Sequence, residues 1–302
     1  MLGVLTVIGS ELPEAEISQV TDLIEKQDLS IVSSRRMTLQ PTSLGHEAIE
    51  FEIDGPRDRR KGSHWRCLAG ESNLDIVFQP NVQQLGRIKL AVFDMDSTLL
   101  DCEVIDELAK LAGVGEEVAK ITESAMRGEI DYAESFRNRL SLLEGLSQGQ
   151  VQAFADRLPI ASGARALVAT VRNAGCHTAI CSGGFSVYAR RLQEELGIDS
   201  IYANELEIVD GRVTGRVVGE IVDGERKAAR LRSLAAQLGA PLAETMAVGD
   251  GANDIPMILA AGLGVAFHAK PKVRDQAPTS IDHSDLDAIL HLIGVHEKDF
   301  VN

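Results

Sequence analysis

The sequence predicts an α/β protein with a mainly parallel sheet, an inserted helical segment and a separate βαββαβ unit in front of them. Near-continuous apolar runs such as "IKLAVFD" alternate with helical stretches after residue 87, which is typical of strands buried on both faces of a parallel sheet. Residues 103–160 carry helical patterns and offer no strand candidate. At 302 residues the chain is long enough for two or three domains.

The first 80 residues contain the βαββαβ unit. Apolar residues at Ile17, Val20 and Ile24 have helical spacing, and the strands on either side are apolar or alternating. The predicted elements are a strand at 2–8, a helix at 13–27, strands at 29–39 and 46–54, a charged helix at 58–69 and a strand at 74–80. This order predicts a ferredoxin-like unit.

Residues 81–88 are predicted to link this unit to the second pattern, which gives domains at 1–85 and 86–302 with a helical cap inserted at about 103–160. The predicted strands of the second domain lie at 88–94, 177–184, 244–250 and 261–267, with helices at 163–175 and 225–239. Residues 201–220 alternate like a β-hairpin around Asp210-Gly211.

Composition excludes several classes of protein. The net charge of −15 disfavours nucleic-acid binding, which needs a basic face. No apolar run approaches the roughly 20 residues of a membrane-spanning helix, and the start of the sequence lacks the pattern of a secretory signal. We therefore expect a cytoplasmic protein. The four cysteines form no CxxC pair, which predicts reduced thiols rather than a zinc or disulfide site.

Polar residues collect at the predicted strand ends, where open α/β sheets bind ligands. They are Asp94 and Asp96 in "DMDST", Ser182, Gly183 and Gly184 in "CSGGF", Lys227, and Asp250, Asn253 and Asp254 in "GDGAND". Converging carboxylates favour Mg²⁺. An aspartate can accept a phosphoryl group, a second can serve as acid and base, and Ser182 and Lys227 can donate to phosphoryl oxygens.

Each motif alone has a structural interpretation as well. A DxD after a strand is often a turn or a helix cap, Ser-Gly-Gly is often a turn, and a single lysine is most often a solvated helix residue. Their joint occurrence, in this order and at strand ends or helix starts, favours catalysis. The acidic chain could then hold an anionic substrate through a local field from Mg²⁺, lysine and arginine.

The motifs "DMDSTL", "CSGGF", Lys227 and "VGDGANDIPM" resemble the four motifs of the haloacid dehalogenase superfamily of phosphatases. The resemblance implies a Rossmann-like core in which Asp94 is the nucleophile and Asp96 the general acid and base. It implies that Asp94, the backbone carbonyl of Asp96 and Asp250 bind Mg²⁺ with support from Asp254. Ser182, Gly183 and Lys227 would hold the phosphoryl group, and Asn253 would line the site.

The predicted cap, with "LDCEVIDELA" and "TESAMRGEIDYAESFRNRL", resembles that of the phosphoserine phosphatase family. The resemblance implies that Glu103 meets the substrate ammonium and Arg139 its carboxylate, under an apolar lid of Met126 and Tyr132 that closes over O-phosphoserine. The family commonly has phenylalanine where this chain has Tyr132. The implied reaction is hydrolysis to serine and phosphate, the last step of serine biosynthesis.

The N-terminal unit resembles an ACT-type regulatory domain, which binds amino acids in several metabolic enzymes. Gly9 precedes its first turn, but the Pro-Gly pair usual in amino-acid-binding members is absent. Effector binding and a structural or homodimer-forming role both stay open. Two other functions also stay open: a phosphotransferase or phosphatase for another small phosphometabolite, and an inactive amino-acid-sensing module.

Overall fold

The computed structural model describes residues 3–55, 65, 72–80 and 84–301. The predicted helix at 58–69 lies outside these residues except for Trp65, which is buried. Among the described helices, none combines the length and apolar character that crossing a bilayer requires.

The N-terminal unit forms a four-stranded antiparallel sheet with the order β2-β3-β1-β4. Its described elements are β1 (Gly3–Gly9), α1 (Glu14–Lys26), β2 (Ser30–Arg36), β3 (Glu47–Asp54) and β4 (Asp75–Gln79). Alternation along the strands directs Leu5 and Val7 to one face, where Ile24 of α1 and Trp65 cover them. The strand order is that of the predicted ferredoxin-like unit.

The opposite face of this sheet is covered as well. Ile8, Met37, Ala48 and Val77 belong to the same apolar cluster as the centre of the second unit. The N-terminal sheet therefore lies between its own helical layer and the rest of the protein.

The second unit is built on a seven-stranded sheet with the order β11-β10-β9-β5-β6-β7-β8. Its pairs are parallel except for β7 and β8. The strands are β5 (Leu90–Phe93), β6 (His177–Phe185), β7 (Ser200–Val209), β8 (Arg212–Val218), β9 (Thr245–Gly249), β10 (Leu263–Phe267) and β11 (Thr279–Ile281). From the central β5, the strand order runs outward through β6 in one direction and through β9 in the other. Such a switch point is where open α/β sheets bind ligands.

Helices complete the second unit. Those of the predicted cap are α2 (Val104–Ala112), α3 (Gly115–Met126), α4 (Tyr132–Ser141) and α5 (Gln148–Ala155). The others are α6 (Ala164–Asn173), α7 (Ser186–Leu196), α8 (Gly224–Gln237), α9 (Ile255–Ala260), α10 (Pro271–Gln276) and α11 (Ile289–Leu292). The helical character predicted for residues 103–160 is confirmed.

The predicted hairpin is also confirmed, and it carries a contact that the sequence does not reveal. Asp210 and Gly211 both have positive φ, 50° and 73°, as a tight two-residue hairpin turn requires. The hairpin touches the cap, because Gly145 N donates to Val213 O at 2.8 Å and Arg212 Nη1 donates to Gly145 O at 2.8 Å. One end of the cap is thereby fixed to the edge of the sheet.

The last residues of the chain join the two units. Asp75 at the start of β4 accepts backbone hydrogen bonds from Asp282, His283 and Ser284 at 2.6 to 3.2 Å. Glu297 binds the loop before β3, with four donors from residues 39–43. Polar contacts at both places fix the orientation of the N-terminal sheet.

Candidate active site

Asp94 follows the central strand β5 directly and is 5% exposed. Its backbone N–H donates to Val248 O at 2.9 Å, which continues the pairing of β5 with β9 past the end of the strand. Its Oδ1 accepts a hydrogen bond from Met95 N at 2.7 Å and lies 2.8 Å from Lys227 Nζ. Its Oδ2 has no hydrogen-bond donor among the described residues, and Asp94 lines the pocket.

Lys227 is fully buried and lies between two carboxylates. Its Nζ is 2.8 Å from Asp94 Oδ1 and 2.7 Å from Asp254 Oδ1. Asp223 caps α8 by accepting from Arg226 N at 2.9 Å, which places Lys227 in the first turns of that helix. Burial disfavours its charge, but Asp254 and Asp94 more than offset this and raise the pKa of Lys227 well above its ordinary value. The lysine is therefore a permanent cation beside Asp94.

Three carboxylates converge at this end of the sheet. Asp94, Asp250 and Asp254 each offer an oxygen, and these oxygens lie within 4.8 Å of one another. Desolvation, followed by the charge of Asp94, raises the pKa of Asp250 to about 8 and that of Asp254 to about 7. A bound cation relieves the repulsion between these carboxylates, and a site whose ligands are all oxygens suits a hard divalent ion.

Asp96 lies beside this cluster on the turn into the cap. Its Oδ1 accepts a hydrogen bond from Val104 N at 3.2 Å, so the start of α2 holds the side chain. Desolvation, followed by the charges of Glu103 and Asp94, raises the pKa of Asp96 well above its ordinary value. The two acids of "DMD" therefore differ in environment: Asp94 is paired with a lysine, and Asp96 faces other acids.

Ser97 and Thr98 form the turn that follows Asp96. Ser97 has a φ of 53°, and its hydroxyl donates to Glu103 Oε1 at 2.9 Å. Thr98 Oγ1 donates to Asp250 Oδ1 at 3.4 Å. Both hydroxyls orient carboxylates around the pocket.

The segment Ser182–Gly184, named here the phosphoryl loop, faces Asp94 from the neighbouring strand β6. Ser182 is 1% exposed, and its Oγ accepts a hydrogen bond from Gly184 N at 2.9 Å. A Cβ at Gly184 would lie 2.5 Å from Asp96 Oδ2, and a Cβ at Gly183 would collide with the Tyr132 hydroxyl. A side chain at either position would displace Tyr132 or Asp96, because these cap and acidic side chains approach the backbone closely.

The cap closes the pocket from above with Tyr132 and Arg139 of α4. The Tyr132 ring stacks on Phe136 with centroids 6.3 Å apart, and burial raises the pKa of its hydroxyl to about 12. Arg139 has a buried Nε without a hydrogen-bond partner among the described residues. A neutral phenol and an arginine with an unpaired Nε therefore face the same cavity.

Glu103 also lines the pocket. It is accessible to solvent, but desolvation of its carboxylate and the charges of Asp94 and Asp106 raise its pKa, while Ser97 and Arg139 act in the opposite direction. A cavity of about 90 Å³ is lined by residues of the carboxylate cluster, of the phosphoryl loop and of the cap. Its lining includes Asp94, Asp96, Glu103, Tyr132, Arg139, Ser182, Gly183, Asp250 and Asn253.

The sequence profile of the haloacid dehalogenase-like hydrolases matches residues 91–259, which contain the central strand from its second residue onward and every motif of this site. This chain is a haloacid dehalogenase-like hydrolase. The superfamily resemblance found in the motifs is thereby confirmed.

The hydrolase is similar over most of its length to proteins that are named phosphoserine phosphatases. It is 40% identical to a phosphoserine phosphatase of Streptomyces coelicolor over 98% of this chain and 72% of that protein. The crystal structure of a probable phosphoserine phosphatase from Vibrio cholerae superposes with a TM-score of 0.78 at 36% identity, covering 98% of this chain and 88% of that one. A phospho-aspartyl intermediate analogue of phosphoserine phosphatase superposes with a TM-score of 0.65 at 43% identity, covering 68% and 99%.

The structure of the hydrolase brings most of the predicted site residues together. Lys227 and Asp254 are fully buried; Lys227 contacts Asp94, and Asp254 contacts Lys227. Asp254 belongs to the carboxylate cluster itself. Met126 ends α3, and its side chain lies outside what the structure describes.

Asn204 on β7 is a residue that the motifs did not indicate. It is 2% exposed, its Nδ2 donates to Gly183 O at 2.7 Å, and its Oδ1 accepts from Val222 N at 2.8 Å. A polar residue inside the alternating run "IYANELEIV" was the available signal. Its position beside the phosphoryl loop depends on sheet register, which the sequence does not reveal.

Proposed function

We propose that this hydrolase is a phosphoserine phosphatase, which converts O-phosphoserine to serine and phosphate through an aspartyl-phosphate. The observation that supports this is that one small cavity is lined by both kinds of group the substrate needs. Asp94 and the phosphoryl loop line it together with Glu103 and Arg139. The named activity of the similar proteins agrees with it.

In the first step Asp94 Oδ2 attacks the phosphorus, and the bond from phosphorus to the serine oxygen breaks. Lys227 and the amide of Met95 hold Oδ1, so the other oxygen is oriented for the attack. Asp96 gives its carboxyl proton to the departing serine oxygen. The products of this step are serine and phosphorylated Asp94.

In the second step a water molecule attacks the phosphorus of the aspartyl-phosphate. Asp96, now a carboxylate, takes the proton of that water, and the bond between phosphorus and Asp94 breaks. Phosphate leaves, and both aspartates return to their starting forms. One carboxyl group thus serves as acid and then as base.

The phosphoryl oxygens need donors because charge spreads over them during transfer. Ser182 can donate its hydroxyl hydrogen, since its lone pair already accepts from Gly184 N. Lys227 supplies positive charge through its contact with Asp94, and Asn253 lines the cavity near Asp250. Together with a bound cation and Arg139, these groups would offset the negative charge of the carboxylates around the phosphoryl group.

A divalent cation fits the carboxylate cluster, and we propose that it is Mg²⁺. Asp94, Asp250 and the backbone carbonyl of Asp96 would hold it, with Asp254 beside them. When bound, the ion supplies charge neutralisation for the phosphoryl oxygens.

The head group of the substrate carries one ammonium and one carboxylate. Arg139 offers a planar fork of donors for the carboxylate, and Glu103 offers an anion for the ammonium. Tyr132 would cover the short carbon chain between them. We propose that this pair of charges selects an amino-acid phosphate.

The test is phosphate release in the presence of Mg²⁺, with O-phosphoethanolamine as the matched substrate that lacks the carboxylate. We expect a large preference for O-phosphoserine, which Arg139→Met abolishes and Arg137→Met, on the exposed side of the same helix, retains. Asp94→Asn should eliminate turnover. Equal rates on both substrates by the unaltered enzyme would refute the assignment.

The same assay separates the alternative functions. Transfer of phosphate to an added alcohol such as homoserine would indicate a phosphotransferase, and absence of turnover with an intact fold would indicate a sensing module. The cytoplasmic location, the homodimer, effector binding by the N-terminal unit and the domain boundaries stay predictions.

A further inference from the structure

Strand β6 leaves the sheet ladder where it forms the phosphoryl loop. Cys181 pairs with Tyr202 and Phe185 pairs with Asn204, so three residues of β6 face a single residue of β7. A bulge of this kind turns the extra residues out of the ladder and deprives their backbone groups of ladder partners. The bulge directs the loop into the pocket but leaves its backbone groups without the hydrogen bonds that normally hold a strand in its sheet.

The side chain of Asn204 replaces one of the lost bonds. Its Nδ2 donates to Gly183 O at 2.7 Å, a carbonyl in the middle of the bulge. Asn204 is 2% exposed, so water does not compete for this bond, and bonds in such surroundings are stronger than bonds in water. Burial of a side-chain amide at this position is unfavourable unless both its NH₂ group and its oxygen form hydrogen bonds. In Asn204 both groups do.

The bond to Gly183 O also determines the orientation of Ser182. The carbonyl of Gly183 and the N–H of Gly184 belong to one planar peptide unit, and that N–H donates to Ser182 Oγ at 2.9 Å. Fixing the carbonyl therefore fixes the N–H. Because the N–H occupies a lone pair of the hydroxyl, the hydroxyl hydrogen stays free to donate into the pocket.

The other end of the Asn204 amide connects to the lysine helix. Its Oδ1 accepts from Val222 N at 2.8 Å, two residues before α8 begins. That helix carries Lys227, whose ammonium contacts Asp94. One side chain thus links the two segments that approach the phosphoryl group.

We propose that Asn204 is a positioning residue for phosphoryl transfer, which holds the phosphoryl loop so that Ser182 donates to the phosphoryl group. It acts through the Gly183–Gly184 peptide and does not touch the substrate. The inference rests on the proposed phosphatase activity but applies to any phosphomonoester that the site accepts.

The experiment compares kcat and KM for Asn204→Asp, Ser182→Ala and the double variant. Aspartate keeps an acceptor for Val222 N and places an oxygen against Gly183 O. We expect Asn204→Asp to lower kcat about 10- to 100-fold, with a smaller change in KM. In the Ser182→Ala background it should lower kcat by no more than about 3-fold, because residues that act as a unit are not additive.

Asn204→Ser is the second variant, because serine is uncharged and too short to reach Gly183 O. We expect it to lower kcat by the same factor as Asn204→Asp. Tyr188→Phe is the control, since it removes a buried hydroxyl bonded to Val151 O outside the pocket, and it should retain kcat. Unchanged kcat in either folded variant, or losses that multiply with Ser182→Ala, would overturn the proposal.

Two substrates keep this test separate from the proposed function. If the unaltered enzyme cleaves p-nitrophenyl phosphate and not O-phosphoserine, the substrate assignment is wrong, and the Asn204 comparison is completed with p-nitrophenyl phosphate. Affinity for inorganic phosphate gives a further measurement, which should weaken in both Asn204 variants and stay the same in Tyr188→Phe.

Discussion

Replacing Glu297 with glutamine tests how the N-terminal sheet is held to the rest of the protein. Glu297 is 6% exposed and lies near the end of the chain. Its Oε2 accepts from Leu39 N at 2.6 Å and Thr42 Oγ1 at 2.9 Å, and its Oε1 accepts from Ser43 N at 2.7 Å and Ser43 Oγ at 2.8 Å. One carboxylate therefore holds a whole loop of the N-terminal unit.

Glutamine keeps the shape of the side chain but has one acceptor oxygen. The hydroxyls of Thr42 and Ser43 can rotate to accept a hydrogen bond from the new amide, but the backbone N–H groups of Leu39 and Ser43 cannot. They approach different oxygens, so one of them faces the NH₂ group in either orientation of the amide. A buried unsatisfied donor costs about 1–3 kcal/mol, which is the expected loss in the free energy of unfolding.

The pH dependence gives an independent measure of the same contact. Burial acts against ionisation, but the donors from Ser43, Leu39 and Thr42 lower the pKa of Glu297 to about 2 from a model-compound value of 4.5. A lowered pKa contributes stability above pH 4.5 that is lost as the pH falls towards 2. The shift corresponds to at most about 3.4 kcal/mol, and to about 1–3 kcal/mol after allowance for solvent screening.

The assay is urea unfolding followed by the fluorescence of Trp65, the one tryptophan of the chain, which is buried in the N-terminal unit. Asp299→Asn removes the same charge from an exposed position two residues away and should leave stability within about 0.5 kcal/mol. The difference in the free energy of unfolding between Glu297→Gln and the unaltered protein should become smaller as the pH is lowered from 5 to 3. A difference below 0.5 kcal/mol at pH 7, or one that does not change with pH, would refute the reasoning.

Three further predictions concern other parts of the molecule. Tyr132→Phe should keep kcat/KM within about 2-fold and leave thermal stability unchanged, because the ring alone covers the substrate and the hydroxyl has no hydrogen-bond partner among the described residues. Asp75→Ala should lower the free energy of unfolding in urea by about 1–3 kcal/mol, because it leaves three backbone donors of residues 282–284 without an acceptor, of which the Ser284 N–H is buried, while kcat/KM of the folded protein stays within about 2-fold. Chelation with EDTA should abolish phosphate release, and added Mg²⁺ should restore it; activity that survives exhaustive chelation would exclude a cation at the Asp94 cluster.

Local patterns in the sequence predicted much of the fold. The apolar run before Asp94 predicted the buried strand β5, and Asp210-Gly211 predicted the hairpin turn. Helical spacing predicted the cap. These features are determined by neighbouring residues, because periodicity and turn chemistry operate within a few positions of the chain.

Parts of the site could be predicted for a related reason. Motifs at the carboxyl ends of parallel strands meet at one edge of the sheet, so the convergence of Asp94, Ser182 and Asp250 follows once the strands are recognised. The burial of Lys227 between two carboxylates does not follow, because the sequence shows only a lysine in an amphipathic helix.

By itself the sequence determined which elements form and which chemical groups stand at their ends. Only the tertiary structure decided that Asn204 holds the phosphoryl loop, since that contact depends on a bulge in the register of β6 against β7. It likewise decided that Glu297 and Asp75 join the two units across 200 and more positions of sequence. Hydrogen bonds between distant segments leave no periodic trace, because their partners become neighbours only after the sheets have formed.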